Sequence, residues 1–285
     1  MAVQVLFGLN YVISKVVVGA FPPLVWASIR ILIASAIMVA TALLMGRPHP
    51  KDGRKFFVPL IGFALLGTII NQACFLVGLK HTTSTNSAII NTLIPVFTLL
   101  VVTLRGQEPL SGRRALGFLF AFVGVLVLRN VEKLTLSDQT VLGDALTMVN
   151  CLSYALVLSF SRGFLQQHDR LWTTAWMFVY GSVGITALAA PDWAGFHMPD
   201  LSPLLMGSAI FAIVGGTLMT YFLSNWALAH THSTQVALFV YIQPVVAALF
   251  AWAWMGQPIT PRMVASSGLV FVGVFLVLRH REVRR

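Results

Sequence analysis

Long apolar stretches, separated by short segments rich in glycine, proline and charge, run through the whole chain. Ten of them approach the ~20 residues that a helix needs to cross a bilayer, so we predict ten spanning helices. Helices are expected because each satisfies its own backbone hydrogen bonds in lipid. The spans lie approximately at 2–19, 22–45, 56–79, 84–105, 114–130, 141–163, 171–190, 203–228, 232–254 and 262–279.

The composition agrees with this pattern. Of the 285 residues, 57% are hydrophobic and only 10% are charged, and the mean hydropathy is +0.83. A soluble domain carries about 25% charged residues, so an unusually hydrophobic core of a soluble protein does not account for these values. We therefore predict an integral protein of the lipid bilayer, all-α in fold class.

The positions of lysine and arginine explain the net charge of +10. Most of them lie in the short loops after even-numbered spans, and no basic, aromatic-interleaved patch of the nucleic-acid-binding kind is present. Under the positive-inside rule, those loops and both termini face the cytoplasm. The localisation predicted is a bacterial-type inner membrane, with no nucleic-acid partner.

The chain repeats itself at an offset of 149 positions. HTTSTNSAIINTLIPVF, at 81–97, returns as HTHSTQVALFVYIQPVV, at 230–246, and Pro95 meets Pro244. Such a period indicates two copies of one unit. We predict a first repeat at 1–130, a linker at 131–140, a second repeat at 141–279 and a basic cytoplasmic tail at 280–285.

Five spans per copy is an odd number, so the second copy enters the membrane from the opposite side. Inverted-topology repeats of this kind are typical of secondary transporters, whose substrate site lies near the midplane. Pro95 and Pro244 each remove a backbone donor inside a span. They either curve the helix or bend it around a cavity, and their symmetric placement favours the cavity.

Four segments carry a resemblance to a known family: FGLNYVISK at 7–15, PPLVWASIR at 22–30, GLKHTTSTNSAIINTLIPVF at 78–97 and YIQPVVAALFAWAWMGQPIT at 241–260. Over essentially its whole length the chain resembles EamA-type members of the drug/metabolite transporter superfamily. The resemblance implies ten helices in two inverted five-helix repeats, around a cavity lined mainly by spans 1, 3, 4, 6, 8 and 9. One departure is that the first copy has Glu108-Pro109 where the second has Gln257-Pro258.

Polar residues at helical spacing within the spans are candidates for the cavity wall. Serine and threonine in membrane helices commonly bond their own backbone or a neighbouring helix, so the amides and phenols are preferred. The predicted substrate-cavity residues are Asn10, Asn71, Gln72, Asn91, Asn150, Tyr154, Tyr221, Asn225, Tyr241 and Gln243.

Ionisable groups inside a membrane are costly and are candidates for function by default. Lys15 and Arg30 are possible partners for a substrate carboxylate. Lys15 is alternatively a residue of the outer interface, and Arg30 alternatively binds the carbonyls of a neighbouring helix. No Asp or Glu lies in the middle of a span, and Asp144 comes closest. A proton-coupled antiporter of cationic drugs is therefore disfavoured.

Other chemistry is not indicated. The two cysteines, Cys74 and Cys151, lie inside apolar spans without a CxxC pair, which predicts small buried side chains and no metal site. No cofactor or catalytic residue is expected. No cleavable signal peptide is recognised, and the start of the first span so near Met1 leaves open whether native residues precede it.

The leading hypothesis is a carrier that exports small polar metabolites, with amino acids as the class that the resemblance supplies. The alternatives are an exporter of other organic metabolites or drugs and, remotely, an intramembrane enzyme, although HExxH and GxSxG motifs are absent from the sequence. The partners expected are a small-molecule substrate and the bilayer. The small residues of spans 5 and 10 pack either within a monomer or in a weak dimer.

Overall fold

The structure, a computed structural model, describes residues 2–51, 53–107, 111–128, 139–256 and 258–278. Within those ranges the secondary structure is helical and contains no strand. The helices are α1 (Ala2–Ala20), α2 (Pro23–Leu44), α3 (Arg54–His81), α4 (Ser84–Leu104), α5 (Gly112–Leu128), α6 (Gln139–Gln167), α7 (Arg170–Trp193), α8 (Pro203–His230), α9 (Ser233–Met255) and α10 (Pro261–Leu278).

Eight helices of the described chain, α1 to α4 and α6 to α9, are long and apolar enough to cross a membrane. The expectation of an all-α membrane protein is therefore confirmed. The two others, α5 and α10, are 17 and 18 residues long and pack against each other. Each is the last span of one predicted repeat.

Two helices in each predicted copy change their winding at matching positions. A π-helical segment interrupts α3 at Leu65–Ile70 and α8 at Val214–Met219, with both bounds 149 positions apart. Each segment contains a Gly-Thr pair, Gly67-Thr68 and Gly216-Thr217. Such π-bulges are rare and often mark functional sites.

The prolines predicted to kink their helices lie at the second kind of interruption. A 3-10 segment, Asn91–Leu93, comes just before Pro95 in α4, and Phe239–Ile242 comes just before Pro244 in α9. Each proline then lies in the first turn of the α-helical segment that follows, where its missing N–H costs nothing. The lost donor is thus accommodated by a change of winding.

Close glycine contacts hold α3 against α6 at one end of the bundle. A Cβ added to Gly78 would lie 2.9 Å from the carbonyl oxygen of Gly143, and a Cβ added to Gly143 would lie 2.8 Å from that of Gly78. The backbones touch here because neither residue has a side chain, as is common between membrane helices.

Some predicted features lie outside the described residues. They include Glu108, Pro109 and Gln257, most of the linker (131–138) and the whole tail at 280–285.

Candidate substrate cavity

A central cavity lies between α1, α3, α4, α6, α8 and α9. Its volume is about 50 Å³. Eight of the ten residues predicted from the sequence line it: Asn10, Asn71, Gln72, Asn91, Asn150, Tyr154, Tyr221 and Gln243. The other residues of its wall are Phe7, Tyr11, Phe75, Ile94 and Gly216.

The polar groups of α3 and α8 meet on one side of this cavity. The Gln72 amide N–H donates to the Tyr221 hydroxyl. That hydroxyl lies 2.8 Å from the Gly67 carbonyl, in the π-helical segment of α3, and 3.2 Å from Asn71 Oδ1. Gln72 and Tyr221 are themselves 149 positions apart, so they are equivalent residues of the two copies.

From Asn71 the hydrogen bonds continue across α6 to α4. Asn71 Nδ2 donates to Asn150 Oδ1 at 2.5 Å, and Asn150 Nδ2 donates to Asn91 Oδ1 at 2.9 Å. Asn91 Nδ2 ends the series on the Ser87 carbonyl, at 2.8 Å. Since all these side chains are buried, their mutual bonds are what makes so many amides tolerable in the membrane interior.

A second cluster joins α1 to α9. The Tyr11 hydroxyl donates to Gln243 Oε1 at 3.0 Å, and Gln243 Nε2 donates to Gln4 Oε1. Also on α1, Ser14 donates to Asn10 Oδ1 at 3.0 Å. Gln243, directly before Pro244, is thereby fixed at the break in α9.

Two of the predicted cavity residues lie elsewhere. Asn225 donates to the Thr174 hydroxyl at 2.8 Å and borders a small neighbouring pocket that it shares with Tyr154 and Tyr221. Tyr241 packs with Leu99 and other apolar residues on the side facing α5 and α10.

Arg30, on α2, is 1% exposed and stands directly behind the cavity wall. Its Nη2 donates to Gln72 Oε1, so it bonds a side-chain amide and not the backbone carbonyls considered from the sequence. Nε and Nη1 have no hydrogen-bond partner among the described residues.

Lys15 has a different environment. Its ammonium group donates to the carbonyls of Leu79 and Thr82, each at 2.6 Å, where α3 ends. Arg162 Nε donates likewise to the Thr231 carbonyl, at 2.8 Å. Thr82 and Thr231 are equivalent turn residues, both in extended backbone conformation. A basic side chain therefore caps the same helix end in each copy.

The two ends of the bundle nevertheless differ. At the Thr82 end, Gly78 touches Gly143 and the Thr82 hydroxyl donates to Asp144 at 2.9 Å. At the Thr231 end, a wider space of about 330 Å³, the vestibule, is lined by Gln4, Thr231 and neighbouring residues. The helices thus touch backbone to backbone at the Thr82 end, the sealed end, and leave the vestibule between them at the Thr231 end.

Comparison with known proteins identifies this arrangement. The model of the EamA-like transporter family matches residues 1–130 and 141–279. The chain belongs to the EamA-like transporter family. This confirms the resemblance drawn from the sequence and indicates a transporter, which is not an enzyme.

Proteins similar to this chain occur in archaea, bacteria and plants. An uncharacterized transporter of Archaeoglobus fulgidus is 27% identical, over 96% of this chain and 95% of its own. The uncharacterized transporter YyaM of Bacillus subtilis is 25% identical, over 94% and 88%. A WAT1-related protein of Arabidopsis thaliana is 21% identical, over 94% and 82%.

One solved crystal structure shares the EamA-type fold of this chain. It superposes with a TM-score of 0.72 over 96% of this chain and 93% of its own, at 16% identity. At that identity the similarity shows the fold alone.

The cavity residues that sequence reasoning missed are mostly aromatic. Phe7 and Tyr11 lie one turn apart on the same face of α1 as Asn10 and Ser14, and Phe75 lies one turn beyond Asn71 on α3. Their spacing from the predicted amides, by three or four residues, places them on the cavity face.

Proposed function

We propose that this EamA-like transporter is a secondary carrier that exports amino acids from the cytoplasm by alternating access. The observation that supports the proposal best is the buried wall of amides and phenols between helices of both copies. Such a wall offers hydrogen bonds to a small polar solute while the rest of the bundle faces lipid. Family membership supports transport, and the choice of amino acids rests on the resemblance and on this chemistry.

We propose further that ten helices cross the membrane, as two inverted repeats at 1–130 and 141–279. The π-helical segments, the proline breaks and the capped turns all recur at the same offset. The proposal also includes the 131–140 linker, the cytoplasmic tail at 280–285 and residence in the inner membrane with both termini inside. In this orientation the Thr231 vestibule opens to the cytoplasm and the Thr82 end is sealed.

Transport requires the sealed end of the bundle to open while the open end closes. Rocking of the repeats about the central site would separate Gly78 from Gly143 and close the vestibule near Thr231. Broken helices at a carrier's midplane suit such a motion because their free backbone groups face the cavity. No covalent step is required, and the substrate is bound only by hydrogen bonds and charge.

Uptake by liposomes tests the carrier function. Purified protein should take up labelled amino acids saturably, with and without a pH gradient. Replacing Asn91 by Leu leaves Asn150 Nδ2 without its acceptor and removes the side-chain donor, though not the backbone N–H, from the Ser87 carbonyl. We expect uptake to fall about tenfold. Thermal unfolding in detergent should show that the variant still folds.

Asn86→Leu is the matched control, because Asn86 lies on the same helix and outside the cavity wall. It should transport as the parent does. Absence of saturable uptake for every amino acid, with folded protein in the liposomes, would refute the amino-acid assignment. Uptake seen only with a pH gradient would keep the substrate class and add proton coupling.

The inverted topology predicts opposite exposure of equivalent turns. With Cys74 and Cys151 replaced by Ala, single cysteines at His81 and His230 should label from opposite sides of the membrane. In intact cells we expect a membrane-impermeant maleimide to modify His81→Cys and to spare His230→Cys until the membrane is opened. Labelling of both from the same side would contradict an inverted repeat.

A further inference from the structure

Arg30 is a buried cation that has no ion pair among the described residues. No acidic residue is among the described residues that line the cavity. Asp144 lies at the sealed end, where it bonds Thr82, and the described contacts of Arg30 are with Gln72. A guanidinium stays charged in proteins. A charged group inside a membrane protein is costly and is by default a candidate for function.

The arginine also fixes the direction of the hydrogen bonds that follow it. A guanidinium has only donors, so Gln72 must turn its oxygen to Arg30 and its NH₂ to the Tyr221 hydroxyl. At the far end, the Ser87 carbonyl only accepts, so Asn91 must turn its NH₂ towards it. The amides between these fixed ends have their orientations set in the same sense.

Because the amides of this series all donate in the same direction, some of their N–H donors remain unused at the cavity wall. Gln72, Asn91 and Asn150 each use one amide N–H in the bonds described, and the second N–H of each has no partner among the described residues. Aligned hydrogen bonds polarise one another in a medium of low dielectric constant. The positive charge of Arg30, which lies behind Gln72, likewise favours a negative group in the cavity.

We propose that the cavity binds a carboxylate, and that Arg30 positions and polarises the Gln72 amide that receives it. The inference rests on the proposed carrier function and narrows its substrates to organic acids and zwitterions, with cations excluded. Arg30 is a positioning residue, because it does not line the cavity and acts through Gln72.

Matched ligands separate the carboxylate from the rest of an amino acid. Each set contains an amino acid, its amide, which keeps the ammonium and lacks the carboxylate, and the acid that lacks the amine. Binding is measured as the ligand-induced rise in unfolding temperature of the full chain in detergent. We expect the amino acid and the simple acid to bind and the amide to bind at least about tenfold more weakly, because a charge-assisted hydrogen bond is lost.

Two variants test the role of the arginine. Arg30→Met removes the charge, and Gln72→Glu, of nearly the same shape, places a carboxylate of the protein next to Arg30. Both should lose binding of the acids by about tenfold or more, whereas Arg30→Lys should retain part of it. Arg47→Met is the control, since Arg47 is exposed beside Asp169, and should bind as the parent does. If Arg30→Met fails to fold, Gln72→Glu still decides.

The inference is overturned if amides bind as well as acids, if neither acids nor amino acids bind, or if Arg30→Met and Gln72→Glu bind acids like the parent. Its failure differs from failure of the carrier proposal. If amino acids and their amides are transported at the same rate, the carrier proposal stands and the carboxylate inference is wrong. If acids bind in an Arg30-dependent way but no uptake is measured, the carboxylate inference stands and the carrier proposal is wrong.

Discussion

A reversible covalent bridge between residues 82 and 144 is expected to stop transport. The Thr82 hydroxyl and the Asp144 carboxylate are 2.9 Å apart at the sealed end, so cysteines at these positions are within reach of a methylene bis-methanethiosulfonate. If the sealed end must open in each cycle, bridging it should reduce uptake to below about a tenth of the parent rate, since gating motions are obligatory steps of the cycle. Uptake into liposomes measures the effect, with Cys74 and Cys151 first replaced by Ala.

The chemistry supplies its own controls. Each single-cysteine variant should keep its rate after the same treatment, and a reductant should restore the bridged protein. Full uptake by a protein whose bridge is verified by mass spectrometry would mean that α3 and α6 do not separate here. Alternating access through the Thr82 end would then be wrong.

The second large effect is expected at Gly216, in the π-helical segment of α8. A Cβ at this position would lie 2.1 Å from Asn10 Oδ1 and 2.6 Å from Asn10 Cγ, so Gly216→Ala either displaces the Asn10 side chain and its bond from Ser14 or separates α1 from α8 at the cavity wall. We expect the free energy of unfolding to fall by about 1–3 kcal/mol, the usual result of overpacking. Uptake should fall with it, and thermal unfolding and transport are measured on the same preparation.

Gly207, on the same helix, is the matched control for Gly216. Nothing lies within 4 Å of a Cβ there, so Gly207→Ala should leave transport unchanged and keep or slightly raise stability. Combining Gly216→Ala with Asn10→Ala should restore stability, because the two closest atoms, Asn10 Oδ1 and Cγ, are then absent and the Asn10 Cβ lies at 3.3 Å. Restored stability without restored transport would separate packing from the polar role of Asn10. A Gly216→Ala protein as stable and active as the parent would contradict the close contact.

Much of this architecture can be predicted from the hydropathy pattern of the chain. Hydropathy locates the helices within a few residues, because lipid leaves a spanning segment no other way to satisfy its backbone. The amides of α3, α4 and α6 had to face one another, because each costs too much in lipid alone. Asn71, Asn91 and Asn150, each predicted to line the cavity, are joined by hydrogen bonds in the structure.

One pair of predicted cavity residues on α9 does not share a face. Tyr241 lies two residues before Gln243, and both were predicted to line the cavity. Residues two positions apart are turned by about 200° from each other in an α-helix and by about 240° in a 3-10 helix, so Gln243 lines the cavity while Tyr241 lies with Leu99 on the other side of the helix. The Gly-Thr pairs that mark the π-helical segments gain meaning only once the two copies are aligned.

Tertiary contacts were also beyond the pattern. The spacing of polar residues within α2 gives no reason to pair Arg30 with Gln72 on another helix. Lys15 was open between a substrate role and the interface, and its bonds to the carbonyls of Leu79 and Thr82 depend on where α3 ends. Such contacts follow from the packing angle of two helices, which hydropathy does not encode.

The bond between Gln72 and Tyr221 has a consequence for the ancestry of the chain. Equivalent residues of two related halves can touch only on the axis that relates them, and a homodimer would have to place the same side chain there twice. Fusion of the halves into one polypeptide removes that constraint, so that one half supplies a glutamine and the other a phenol. Neither half alone, duplicated, would rebuild this centre, because the bond needs a glutamine from one half and a phenol from the other.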